Sequence, residues 1–171
     1  KTGQGQRVDT SLFEAGITQS YWQAAMAMAT GEAPLPLGSA HPMSAPYQAF
    51  ETEDGWITVG GSNQTNWIRL INALGVPELS EDPRFLENSD RIKNVQDLDA
   101  ILSESFKRET TEQWLKILEE AGVPAGPVAS MTEMLDLPQT LARDMVVEVA
   151  PSRLGPVKTL GFPVKFSKNP A

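Results

Sequence analysis

The sequence predicts an α+β fold with a long connecting helix, a β-hairpin, further helices and short antiparallel strands. Three observations lead to this class. Several segments carry apolar residues at helical spacing and end at glycine or proline. One segment has the alternating pattern and the turn residues of a β-hairpin. The elements follow one another without regular β–α–β alternation, which argues against a doubly wound parallel sheet.

The first predicted element is a helix over residues 10–30. Gly31 follows it, at the position where a C-terminal cap is expected. The residues that recur at helical spacing are Phe13, Ile17, Tyr21, Ala24 and Met28. Apolar residues also occur on the other faces, so we expect this helix to be largely buried.

A β-hairpin follows the helix after a proline-rich stretch. Residues 32–46 contain four prolines and Gly38, and this high density of proline and glycine predicts an irregular loop. The predicted strands cover residues 47–51 and 56–59, and the turn between them contains Asp54 and Gly55.

Residues 60–63 (Gly-Gly-Ser-Asn) lead from the hairpin into the next predicted helix, which Ser62 or Asn63 caps. This helix stops at Gly75 and Pro77. Its apolar residues are Trp67, Ile68, Ile71 and Leu74. The remaining predicted elements are a helix over residues 94–107, a helix that begins with a Thr110–Gln113 capping box and ends at Gly122, a helical turn near residues 132–135, and strands over residues 127–129, 146–149 and 157–166.

The composition argues against several classes of protein. The net charge of −8 makes a polyanion such as nucleic acid a poor partner. The absence of cysteine excludes disulfides and zinc–thiolate sites in this piece. The most apolar stretch, residues 15–29, is interrupted by polar residues and is too short to cross a bilayer. We therefore expect a cytoplasmic protein, and because the chain begins at Lys1 rather than Met, we expect a piece of a longer one.

Two local features are candidates for chemistry. The only histidine, His41, has no serine or cysteine nucleophile signature nearby, so we favour a locally bonded loop histidine over a general base. Residues 60–63 run from a strand end into a helix N-terminus, a geometry that exposes backbone N–H groups to an anion. The commoner alternative is an ordinary turn capped by Asn63. Residues 8–68 contain no Lys or Arg, so an anion there must be held by backbone N–H groups or by side chains from elsewhere.

Several stretches resemble a known family. Residues 3–12 (GQGQRVDTSL) are similar to the segment of family III CoA-transferases that joins their large domain to their small one. Residues 45–50 (APYQAF) and 54–60 (DGWITVG) resemble the hairpin of that small domain. Further similar segments follow in the same order: residues 74–75, 82–85, 91, 121–128, 142–143 with 145–146, and 155–157 through 161–163. The resemblance spans essentially the whole chain.

The resemblance implies a two-domain protein that forms an interlocked homodimer. Residues 1–31 correspond to the linker segment and connecting helix, and residues 32–171 to the small α+β domain. A Rossmann-like large domain lies outside this chain, and so does its nucleophilic aspartate, upstream of Lys1. In the family that aspartate attacks an acyl-CoA thioester, and CoA moves through an aspartyl-CoA thioester to a free carboxylate. The implied substrates are acyl-CoA and a carboxylic acid, with no permanently bound cofactor and no metal.

The resemblance also implies substrate-binding positions within this domain, although no catalytic residue. Leu12 falls where family transferases bring a side chain near the substrate, and Tyr47 and Asn63 fall beside the acyl group. The predicted substrate-binding residues are Leu12, Gly38, His41, Tyr47, Gly60, Gly61 and Asn63.

Two departures from the family pattern separate its branches. In 2-methylacyl-CoA racemases a glutamate of the proton-transfer site occupies the position of Asn63, and an amide is not a usable acid or base. In formyl-CoA transferases the loop that corresponds to residues 38–43 carries a run of glycines, whereas this chain has only Gly38. We therefore favour a transferase for a small or medium carboxylic acid and disfavour formate or oxalate. The alternatives are a racemase of the same family and a non-catalytic domain that interlocks a dimer.

Overall fold

The computed structural model describes residues 3–150 and 155–167. These residues form a mixed α+β structure with eight α-helices and five short strands, which confirms the predicted class. The chain divides into two compact units, Lys1–Gly38 and Ser39–Ala171. Lys1, on which the expectation of a longer protein rests, lies outside the described residues. None of the described helices is long and apolar enough to cross a membrane.

The first unit contains two helices, α1 (Leu12–Gln19) and α2 (Tyr21–Thr30), in place of the single predicted helix. They are separated at Ser20, whose hydroxyl donates a 2.8 Å hydrogen bond to the carbonyl of Ile17. A serine side chain that bonds a nearby carbonyl competes with regular helix geometry. No residue of either helix is buried in this chain, so the expected burial is not observed. Gly31 has a φ of 76° and confirms the predicted C-terminal cap.

The second unit is built around a three-stranded antiparallel sheet in the order β1–β2–β3. The strands are β1 (Tyr47–Glu51), β2 (Trp56–Gly60) and β3 (Ala125–Pro127). β1 and β2 form the predicted hairpin, with Phe50 opposite Ile57. β3 begins before the predicted residues 127–129, because Gly126 pairs with Thr58 and accepts a 3.0 Å hydrogen bond from its hydroxyl.

Six helices and a 3-10 turn belong to the same unit. They are α3 (Gln64–Ala73), the 3-10 turn (Pro77–Ser80), α4 (Asn88–Lys93), α5 (Val95–Phe106), α6 (Thr111–Ala121), α7 (Met131–Asp136) and α8 (Pro138–Ala142). The predicted capping box of α6 is confirmed, with Thr110 and Gln113 bonding each other's backbone N–H. The sequence did not predict helices α4 and α8 or the 3-10 turn, because elements this short carry no repeating apolar face.

A separate two-stranded sheet contains β4 (Val146–Val149) and β5 (Val157–Leu160), which are antiparallel. β5 ends before the predicted limit at residue 166. Gly161 donates its N–H to the carbonyl of Met145 at 2.9 Å, and Pro163 has no N–H with which to continue a ladder.

The hydrophobic core lies between the three-stranded sheet and helices α3, α5 and α6. The rings of Phe50 and Phe106 stack with centroids 4.7 Å apart, and Trp114 contacts Phe106 edge-on at 5.3 Å. On α3, Trp67 is fully buried. Ile68, which the sequence places among the apolar residues of this helix, is exposed, because adjacent helical residues point about 100° apart.

The hairpin turn is tied to the start of α6 by Asp54. Its carboxylate accepts hydrogen bonds from the backbone N–H of Thr111 at 2.8 Å and from the Thr111 hydroxyl at 3.0 Å. The N–H of Thr111 holds the pKa of Asp54 below its ordinary value. The carboxylate is therefore charged at neutral pH beside a helix N-terminus, where a negative charge is favoured. This contact fixes the hairpin against α6.

Candidate functional site

The register of the hairpin brings five of the predicted site residues to one end of the sheet. Tyr47, at the start of β1, pairs with Gly60, at the end of β2. His41 joins them, because its backbone N–H donates to the carbonyl of Tyr47 at 2.9 Å and the two rings pack with centroids 5.3 Å apart. Gly61 and Asn63 follow Gly60 in the turn that leads to α3.

The other two predicted site residues, Leu12 and Gly38, belong to the first unit. Leu12 is the first residue of α1 and is 93% exposed. Gly38 has a φ of 61°, a conformation that glycine adopts without strain and that fits the predicted irregular loop. A role for either residue in substrate binding stays a prediction.

The loop that carries His41 is attached to the open edge of β1. Ala49 donates its backbone N–H to the hydroxyl of Ser39 at 3.1 Å, next to the bond between His41 and Tyr47. Within the loop, the backbone N–H of Met43 donates to Nδ1 of His41 at 3.1 Å. An Nδ1 that accepts a hydrogen bond places the proton of a neutral ring on Nε2. These bonds support the interpretation of His41 as a locally bonded loop histidine.

Backbone carbonyls accept from the N–H groups of both glycines in the turn. Gly60 donates to the carbonyl of Pro124 at 2.8 Å, and Gly61 donates to the carbonyl of Pro46 at 3.0 Å. These bonds favour the commoner alternative, an ordinary turn capped by Asn63, over an anion site on the two glycines, because sheet-like hydrogen bonding continues past the end of β2.

Asn63 is the N-cap of α3. Its side-chain oxygen accepts from the backbone N–H of Asn66 at 2.8 Å, as in a standard cap. No hydrogen bond among the described residues uses the Nδ2 donor of Asn63, and the residue is exposed. The first N–H groups of a helix have no intrahelical partner. The donors left at this turn are thus the Asn63 amide nitrogen and the first N–H groups of α3.

A shallow depression of about 240 Å³ lies beside this turn. Tyr47, Thr58, Gly60 and Pro124 contribute to its lining. A Cβ on Gly60 would lie 3.6 Å from Cβ of Pro124 and 3.7 Å from Cδ2 of Tyr47, so the missing side chain keeps this space open. Half of the Tyr47 surface is exposed, which leaves its ring available to a ligand. The depression offers an apolar wall, and the turn that begins at Gly60 carries neutral hydrogen-bond donors at its far end.

Sequence reasoning assigned no role to Arg91, although it belongs to the segments that resemble the family. Its side chain is fully buried and donates to the carbonyl oxygens of Ala45 at 2.7 Å and Ser62 at 2.9 Å. Burial lowers its pKa. No local pattern distinguishes a buried arginine from the exposed ones in a short polar helix, so only its contacts identify it.

Across residues 3–150 and 155–167, no group of three or more acidic or histidine side chains is arranged to hold a metal ion. The family model described as CoA-transferase family III matches residues 1–171. The chain belongs to CoA-transferase family III.

Two curated relatives illustrate the similarity. The chain is 37% identical over 169 residues to an acetyl-CoA:oxalate CoA-transferase of Acetobacter aceti, a match that covers 98% of this chain and 42% of that protein. It is 34% identical over 168 residues to the human succinyl-CoA:glutarate CoA-transferase, covering 98% of this chain and 38% of the human protein. The chain thus spans about two fifths of the length of these relatives.

A solved structure has the same fold. A CaiB/BaiF family protein from Brucella suis superposes with a TM-score of 0.81 at 36% identity, over 99% of this chain and 43% of that one. The mixed α+β architecture is therefore that of a segment of a family III protein.

Proposed function

We propose that the complete protein is an acyl-CoA:carboxylate CoA-transferase in which residues 32–171 form a small domain that walls the acyl pocket. The observation that carries this proposal is the depression lined by Tyr47 and Gly60, at the start of the turn that ends at the N-cap Asn63. An apolar wall suits an acyl chain, and neutral donors suit a carboxylate or thioester oxygen. Membership of family III supports the reaction class.

The chemistry of this proposal takes place on an aspartate outside the chain. Its carboxylate attacks the thioester carbonyl and expels CoA thiolate, leaving a mixed anhydride. The thiolate then attacks the aspartyl carbonyl, which gives an aspartyl-CoA thioester and releases the donor acid. The acceptor carboxylate reverses these two steps and leaves as the new acyl-CoA. Each step exchanges one acyl linkage for another, so no oxidant and no permanent cofactor is required.

The acceptor in this proposal is a small dicarboxylic acid. Curated relatives carry the names of oxalate, glutarate and D-citramalate transferases, and all three acceptors have two carboxyl groups. Residues 8–68 contain no Lys or Arg, so the turn of residues 60–63 offers neutral donors to the second carboxylate. The similarity to an acetyl-CoA:oxalate CoA-transferase keeps oxalate among the candidate acceptors, although the sequence of the loop of residues 38–43 disfavours oxalate.

The complete protein is proposed to act as a cytoplasmic homodimer. The two apolar helices of the first unit, α1 and α2, expose large side chains that a further domain or subunit would cover. The exposed apolar residues are Leu12, Phe13, Ile17, Tyr21, Trp22 and Met28.

The experiment that tests the function is a transfer assay with the complete protein. Acetyl-CoA and succinyl-CoA are offered as donors, with oxalate, succinate, glutarate and mesaconate as acceptors, and the acyl-CoA products are separated and quantified. We expect transfer to at least one dicarboxylate, lost by about a thousandfold or more when the upstream aspartate is replaced by alanine. Exchange of the α-proton of a 2-methylacyl-CoA without CoA transfer would establish the racemase instead. Absence of both reactions would favour the non-catalytic alternative.

The substitution Asn63→Asp tests the role of the turn. Aspartate caps a helix as well as asparagine does, but it has no N–H donor and adds a negative charge. We expect the KM for the acceptor acid to rise about tenfold while the melting temperature stays close to that of the wild type. Asn72→Asp, near the other end of α3, makes the same chemical change away from the turn and is expected to leave the acceptor KM unchanged. An unchanged KM in Asn63→Asp would exclude the Asn63 amide from acceptor binding.

A further inference from the structure

Helix α4 presents two polar side chains one turn apart, Asn88 and Arg91, to the segment that precedes β1. The Asn88 side chain accepts from the backbone N–H of Ala45 at 3.0 Å and donates to the carbonyl of Met43 at 3.0 Å. Nε of Arg91 donates to the carbonyl of Ala45 at 2.7 Å. Both backbone groups of Ala45 are therefore held by α4, two residues before Tyr47.

The same guanidinium also holds the other side of the site. Nη2 of Arg91 donates to the carbonyl of Ser62 at 2.9 Å, and Nη1 donates to the side-chain oxygen of Gln64 at 3.2 Å. Ser62 and Gln64 flank Asn63 in the chain. One side chain thus contacts the backbone before Tyr47 and both neighbours of Asn63.

The partners of Arg91 are unusual for a buried charge. The side chain is fully buried, lies over the ring of Trp67 at 4.9 Å, and hydrogen-bonds carbonyl and amide oxygens rather than a carboxylate among the described residues. Burying a guanidinium is costly, and an apolar side chain would fill a core without that cost. A planar fork of five donors does what an apolar residue cannot, since it fixes several acceptors at set distances and angles.

We infer that Asn88 and Arg91, together the α4 clamp, are positioning residues that set the spacing between Tyr47 and Asn63 and thereby determine which acceptor acid fits the site. The inference rests on the proposed function. The two side chains act through backbone groups: Asn88 through Met43 and Ala45, and Arg91 through Ala45 and Ser62. Displacement of a pocket wall by about 1 Å is enough to change binding strongly.

The test uses Asn88→Ala and Arg91→Lys in the complete protein. Asn88→Ala removes both bonds to the loop from a half-buried position, and Arg91→Lys keeps the charge while losing the fork. We expect the KM for the acceptor to rise about tenfold in each variant, with kcat within about twofold of the wild type. Hydrogen–deuterium exchange of the Ala45 and Gly61 amides is expected to accelerate in both. Arg84→Lys is the matched control, because Arg84 is exposed, pairs with Asp82 and Asp97, and contacts neither loop through its side chain.

Two results would overturn the clamp. One is an acceptor KM in Asn88→Ala that equals the KM of the wild type. This variant keeps the test valid even when Arg91→Lys fails to fold. The other is exchange that accelerates equally throughout the domain, which would mean a general loss of stability in place of a positioning role. An inactive wild-type protein would overturn the proposed function. The hydrogen–deuterium exchange of the Ala45 and Gly61 amides would then decide whether the clamp holds the segment before β1 and the turn of residues 60–63.

Discussion

Replacing Gly161 with alanine is expected to open the β4–β5 hairpin. A Cβ at this position would overlap the carbonyl oxygen of Asp144 and lie 3.2 Å from Cα of Met145. The obstacle is backbone, so no side-chain rotation relieves it, and the bond from the Gly161 N–H to the Met145 carbonyl must break. Overpacking of this kind costs on the order of 3 kcal/mol. The expected result is local loss of β4 and β5 with the three-stranded sheet retained.

Hydrogen–deuterium exchange resolved by segment measures this effect. We expect faster exchange over residues 146–149 and 157–160 in Gly161→Ala, with little change in β1 and β2. Gly126→Ala is the control, because its Cβ would meet only the Thr58 hydroxyl, at an ordinary contact distance of 3.5 Å. Protected β4 and β5 amides in Gly161→Ala would contradict the close approach of the two backbones.

Replacing Gly61 with alanine is expected to destabilise the second unit and to distort the candidate site. The new Cβ would lie 2.7 Å from Cδ2 of Leu70 and 3.3 Å from Cγ of Pro46. Leu70 is fully buried, so its side chain has no solvent space to move into, and the turn must shift instead. Such overpacking typically costs about 1–3 kcal/mol. The shift would also move Asn63, which lies two residues further on.

Urea denaturation measures the change in stability. We expect a lower midpoint for Gly61→Ala with an unchanged dependence on denaturant concentration. Gly60→Ala is a close control, since its Cβ would come no nearer than 3.6 Å to a neighbour and its φ is not in the left-handed region. Equal midpoints for the two variants would show that the turn has room at Gly61 and would weaken its role as a fixed wall of the site.

Local sequence patterns were sufficient to predict the elements that depend on neighbouring residues. The turn with Asp54 and Gly55, the Thr110–Gln113 capping box and the glycine caps each act within a few positions of the chain. Of the apolar residues predicted for the helix after the hairpin, Trp67, Ile71 and Leu74 are buried, whereas Ile68 is exposed. The ordered resemblance of short segments was sufficient to identify the family, because it drew on the whole chain.

The assembly of the candidate site depends on contacts between segments that are distant in the sequence. The glycine N–H groups looked available in the sequence, but Pro46 and Pro124 take them, and both partners reach the turn through folding. Arg91 lies in a short polar helix that no apolar periodicity predicted. Its role depends on hydrogen bonds to the carbonyl oxygens of Ala45 and Ser62. Hydrogen bonds between distant backbone groups carry no side-chain signature. The sequence therefore identified the turn of residues 60–63, whereas the structure showed which hydrogen-bond donors of this turn are available.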